Sequence, residues 1–138
     1  MKYAHAIEIL SNRHNELRNA QGFTTPELHT HKMNLLSSLN VAMAFLASPD
    51  LYAVNCTHVT PTTEAQRTLE QAYAELSLSR RMTINDREAN YDLSDPMWAQ
   101  GYEILTCRIM QQNNDIVNLE AALRALNKFD GDRGLNEE

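Results

Sequence analysis

His29-Thr30-His31 and Cys56-Thr57-His58 bring nitrogen and sulfur donors closest together in this chain. Between them they offer four ligands, the number a tetrahedral zinc ion takes. Their spacing argues against that use. Side chains two apart on a helix point in nearly opposite directions, and both His29 and His31 follow a helix start at Thr25. His14 falls on an apolar stripe and reads as a packed core histidine, and His5 with Glu8 is an ordinary i,i+3 pair. Neither His-Glu-x-x-His nor the paired Glu-x-x-His of di-iron bundles occurs, so no metal is expected.

The carboxylates are no sharper. Glu64, Glu70 and Glu75 fall on a polar helix face, and Asp86, Glu88, Asp92 and Asp95 lie in or near a linker. The Glu-x-x-Glu and Glu-x-x-Asp pairs with which a helical pyrophosphatase holds magnesium do not occur. Asp130-Gly131-Asp132 opens like a calcium loop, but the twelfth position of such a loop falls past Glu138. There is no Gly-x-Ser-x-Gly and no phosphate-cradling glycine loop. Cys107 is expected on or beside a buried helix face, where a thiol is inert. No catalytic residue and no cofactor is expected, and the chain does not read as an enzyme.

Arg80, Arg81 and Arg87 form the one basic cluster, with Tyr91 beside it as a possible stacking platform. Positive charge is also welcome at a helix C-terminus, which is where Arg80 and Arg81 are expected. As a binding patch the four residues would take an acidic partner or a phosphate-bearing ligand.

These residues need helices to position them. From Trp98, large side chains recur at 102, 105, 109, 112, 116, 119, 123 and 126, in alternating steps of four and three. This is the stripe of a long helix over about 96–128, packed along one seam. Ser94-Asp95-Pro96 caps it and Gly131 is expected to close it. A first helix covers about Tyr3 to Asn19, with Gly22 as a stop. A second starts at Thr25-Pro26, carries the stripe Leu28, Leu35, Leu39, Ala42 and Leu46, and ends at Ser48-Pro49. Asp50 to Thr60 reads as a loop tucking Leu51, Tyr52 and Val54 against the bundle. A third helix runs from Thr60-Pro61 to about Arg80 with Ala65, Leu69, Ala72, Tyr73 and Leu76 inward, and a short separate helix follows within 82–93. The fold class is all-α: an antiparallel helical bundle in a single domain over 1–129, with 130–138 as a flexible tail.

On these lengths the last helix overhangs its neighbours. Gln111-Gln112-Asn113-Asn114 could kink it there. The stripe stays in phase beyond the amides, which favours self-association instead, with Gln112, Ile116, Leu119 and Leu123 as its contacts.

The net charge of −6 is uneven: residues 1–49 carry four basic and three acidic groups, hence +1, leaving −7 for the rest. Phosphate neutralisation requires the opposite sign, so nucleic acid is not an expected partner. The longest apolar run, Val41 to Ala47, is too short to span a bilayer. Two cysteines without a framework fit a reducing, cytoplasmic setting. The chain therefore reads as a non-catalytic helical binding protein that docks on a protein partner and forms a homo-oligomer, a dimer first. It is similar in type to accessory proteins of phages and mobile elements that inhibit a host system. The alternatives are an oligomer sequestering a small anionic, nucleotide-like ligand near Arg80, Arg81 and Tyr91, and a metal-assisted enzyme.

Gly101 within the last helix costs roughly 1 kcal/mol against Ala, and its place between Trp98 and Tyr102 suggests a close approach by another segment. Gly101→Leu is expected to lower the melting temperature. Unchanged melting and oligomeric state would show that the position faces open solvent.

Overall fold

The structure is a computed structural model that describes residues 2–50, 60–91 and 94–136, from residue 132 onward by backbone alone. Four helices account for nearly all of it: α1 (Ala4–Asn19), α2 (Pro26–Ala47), α3 (Thr63–Asn90) and α4 (Pro96–Asn136). No strand occurs among the described residues. The loop expected to carry Leu51, Tyr52 and Val54 lies outside them, as do Cys56 and His58.

The first hairpin is closed by local chemistry. Gly22 takes φ +104°, a left-handed conformation that a Cβ would strain. Thr25 caps α2, its Oγ1 accepting from Leu28 N at 3.1 Å, with Pro26 at the first helical position. Lys32, nearly two turns into α2, reaches back and donates to the carbonyls of Arg18 (3.0 Å) and Ala20 (3.3 Å). The last carbonyls of α1 thus receive a cation from the helix they lead into.

α3 starts two residues after the expected Thr60-Pro61. Its N-cap is Thr62, fully buried, whose side chain makes no cap bond to its own helix. The acceptor comes from α4 instead. The Asp130 carboxylate receives Thr62 N (3.0 and 3.2 Å), Thr62 Oγ1 (2.6 Å) and Gln66 Nε2 (2.9 Å). A residue 68 positions away therefore satisfies one of the backbone N–H donors that every helix start leaves without an intrahelical partner.

The four helices share one core, in which Leu10, Leu39, Leu46, Leu69, Leu119 and Leu126 are almost wholly buried. Phe45 of α2 stacks on Phe129 of α4, with ring centroids 4.4 Å apart. The expected α4 stripe is buried from Leu105 to Leu126, Leu123 partly, but Trp98 at its start is 44% exposed. Leu28, placed on the inward stripe of α2, is exposed too, as is every residue from Thr24 to His31.

The larger departure concerns α3. It does not end near Arg80, and no separate short helix follows. One helix of 28 residues, about 42 Å long, runs through to Asn90. α4 likewise continues through Gly131 to Asn136, 41 residues in all, and the amides of 111–114 do not interrupt it. α3 thus accompanies much of the stretch of α4 that had seemed unpartnered. No α3 residue beyond Leu76 and no α4 residue before Leu119 belongs to the shared core. The outer parts of these two helices form an antiparallel two-helix arm.

Removing the Asp130 acceptor leaves a buried N–H and hydroxyl at Thr62 without it. Asp130→Ala is expected to cost about 1–3 kcal/mol in urea unfolding, and Asp130→Asn less, since its amide oxygen still accepts. In a cycle with Thr62→Val the two losses should be strongly non-additive.

Candidate functional site

The arm carries Arg80, Arg81 and Arg87, with Tyr91 at its tip, but it uses them differently than as one patch. Arg80 and Arg87, two turns apart on α3, both reach across to α4. Arg80 Nη1 donates to Asn113 Oδ1 at 2.8 Å. Arg87 Nη1 donates to Thr106 Oγ1 at 3.0 Å, its guanidinium lies 4.8 Å from the centroid of the Tyr102 ring, and Glu88 pairs with it at 2.8 Å. Arg81 points away, exposed. The three arginines therefore do not converge on one point, and two of them are ties between helices.

Tyr91 is likewise engaged. Its ring lies over Gly101, where a Cβ would fall inside van der Waals distance of Cε1 and only 2.8 Å from Cδ1. It meets Trp98 edge-on at 5.8 Å. Gly101 thus makes room for Tyr91, the first residue of the turn between α3 and α4. That turn ends with Asp95, whose Oδ1 accepts from Met97 N at 3.0 Å, as expected of the Ser94-Asp95-Pro96 cap.

The residues assigned to self-association lie inside a single copy. Gln112 is 9% exposed, Ile116 4% and Leu119 0%, and Leu123 is half-buried against the shared core. Gln112 Nε2 donates to Ser79 Oγ and Thr83 Oγ1, both at 3.3 Å, while its Oε1 is buried without a partner. The polar position in the seam thus faces α3 of its own chain, so these four residues are not free to meet a second copy.

The other donors are scattered. His29 and His31 are exposed on α2, and His14 is half-buried on α1, beside an open cavity of about 590 Å³ that also touches α2. Among the described residues no three of His, Cys, Asp and Glu come together as metal ligands would. Cys107 is exposed, not beside the buried face, since the seam runs through Leu105 and Ile109. Glu64 departs from the polar helix face expected of it. Glu64 approaches Arg13 Nε at 3.6 Å with its side chain 12% exposed, and Gln66 serves the Asp130 cluster.

What the arm does present is apolar surface. Leu78 and Met82 on α3, and Met97, Trp98, Ile104, Met110 and Val117 on α4, are between 44% and 82% exposed. Periodicity directs attention to the buried seam and passes over these residues, although each lies off the seam on a helix long enough to need a second one. Along one face runs an open groove of about 490 Å³, floored by Leu78, Ser79, Met82 and Thr83 and edged by Glu75, Asp86 and Arg108. Its shape suits another helix better than an enclosed small molecule. Comparison of the chain with protein-family models, with curated proteins and with solved structures finds no match to any of them. Among the described residues no helix is long and apolar enough to cross a membrane.

Gln112→Leu removes an amide oxygen buried without a partner and adds apolar contact in the seam. It is expected to stabilise the protein by about 0.5–2 kcal/mol, read as a higher urea midpoint at unchanged slope. A loss of stability would show that the hydrogen bonds to Ser79 and Thr83 outweigh the orphaned oxygen.

Proposed function

We propose that the protein is a non-catalytic docking protein that acts by presenting the α3–α4 arm to a macromolecular partner. The observation carrying this reading is the exposed apolar surface of the arm, set on a hairpin that its own polar ties hold in place. Isolated apolar residues on a surface are ordinary, but seven large ones on a single two-helix projection are concentrated as interaction sites are. Met82, Met97 and Met110 add the unbranched, polarizable side chains that adapt to a partner's shape. A role as an accessory protein that blocks a host system by occupying a partner's surface fits such an arm.

Sequestration of a small anion near Arg80, Arg81 and Tyr91 draws less support. Arg80 hydrogen-bonds Asn113 and the Tyr91 ring covers Gly101, so a ligand would first have to displace these contacts.

Native mass spectrometry of the protein isolated from its host is the test. A retained protein partner is expected, lost from Ile104→Glu and Met110→Glu variants and kept by a Met33→Glu variant, which alters an exposed residue of α2 instead. A retained nucleotide or stoichiometric metal without a protein partner would replace this reading with one of its alternatives.

A further inference from the structure

The groove along the arm is described by more than its apolar floor. Leu78 and Met82, 57% and 62% exposed, are one turn apart on α3. Ile104, 57% exposed, is one turn before Arg108 on α4, and Met97, 82% exposed, is one heptad before Ile104. Helical geometry thus places these four apolar residues along the face that carries the groove. The charged residues lining it are of opposite sign on the two helices: Glu75 and Asp86 on α3, Arg108 on α4. Among the described residues none of the three forms an ion pair. Glu75 accepts a hydrogen bond from Gln71 Nε2 at 3.3 Å and Asp86 accepts one from Asn90 Nδ2, both within α3.

We infer that this face binds the same face of a second copy of the chain, so that two arms close into a four-helix bundle. The inference rests on the reading of the arm as a docking element and names its occupant. Charge selects that occupant. A partner of one sign, such as an anionic membrane or a basic protein, would satisfy one edge of the groove and repel the other. The bonds of Arg80 to Asn113 and Arg87 to Thr106 set Arg108 level with Asp86, so a two-fold axis running along the groove presents Arg108 of each copy to Asp86 of the other. A two-helix hairpin also has a single seam, whereas a four-helix bundle buries a second set of positions beside it, which here are Leu78, Met82, Ile104 and Met97. From Leu78 to Asn90 the arm is about 20 Å long and two helices wide, at the small end of specific interfaces, so the dimer forms and dissociates with concentration.

Sedimentation velocity from about 1 to about 200 µM tests this, bracketing weak affinities. The wild-type chain is expected to pass from monomer to dimer. Leu78→Glu combined with Met82→Glu should leave a monomer throughout, with unchanged helicity because both side chains are mostly in solvent. Arg108→Glu should weaken association roughly five- to tenfold at low salt, since each change acts twice across a two-fold axis, and adding Asp86→Arg should restore it. A wild-type monomer at the highest concentration, or a dimer indifferent to the Leu78 and Met82 substitutions, would overturn the inference. A photo-crosslinker at position 82 in the expressing cell separates the two levels of the claim. Linkage to a second copy supports the inference. Linkage only to a different protein overturns it and leaves the docking reading standing, and linkage to neither removes both.

Discussion

A helix of about 61 Å cannot be covered by neighbours of about 24 and 33 Å, and most of the architecture follows from that mismatch. α1 and α2 shield only the C-terminal half of α4. α3, joined to it by a short turn, continues alongside the outer half through one seam of Leu105, Ile109, Gln112 and Ile116. The buried positions record the change of surroundings. In the arm they form a narrow line, as between two helices, whereas at the inner end Leu119, Ala122, Leu126 and Phe129 cover a broad face, as needed where α4 meets three others. Asp130 then joins the inner end of α4 to the start of α3, so the same pair of helices is tied at the base as well as along the arm.

A hairpin with one narrow seam has little apolar burial to hold it, and the polar side chains make up part of the difference. Arg80 to Asn113, Arg87 to Thr106 and Tyr102, and Gln112 to Ser79 and Thr83 bridge the two helices at successive levels. At the tip, Tyr91 fills the space left by the missing side chain of Gly101. Groups whose chemistry could have held a ligand are thereby occupied in holding the arm's shape. On the docking reading proposed above, recognition falls to the apolar surface on its flanks, and a preorganised support lets such a surface bind without a large ordering cost.

The length of α3 is the main feature that local sequence signals misstate. Ser77, Ser79, Thr83 and Asn85 are indifferent helix formers, and two arginines in succession resemble a helix end, so α3 appeared to stop near Arg80. Local preferences of a few tenths of a kcal/mol per residue are outweighed when a long neighbouring helix offers a seam to pack against. A short α3 would leave α4 without a companion and Gln112, Ile116, Leu119 and Leu123 open to a second copy; the long α3 and the shared core place them against their own chain. Cys107 was misplaced for a smaller reason: it adjoins a seam only as wide as one row of side chains, so a residue two positions beyond Leu105 already faces water.

By itself the sequence determined the helical class, the Thr25 and Asp95 caps, the Gly22 stop and the register of the α4 stripe. Each of these depends on residues within a turn or two, or on a period that any helix shares. Only the tertiary structure decided how far α3 extends, which side chains Asp130, Arg80 and Arg87 engage, and that the polar seam residue faces inward. These depend on contacts between positions 19 to 68 residues apart, whose distances a one-dimensional pattern does not contain. The groove between Leu78, Met82 and Arg108 belongs with them, because it exists only where two helices distant along the chain lie side by side.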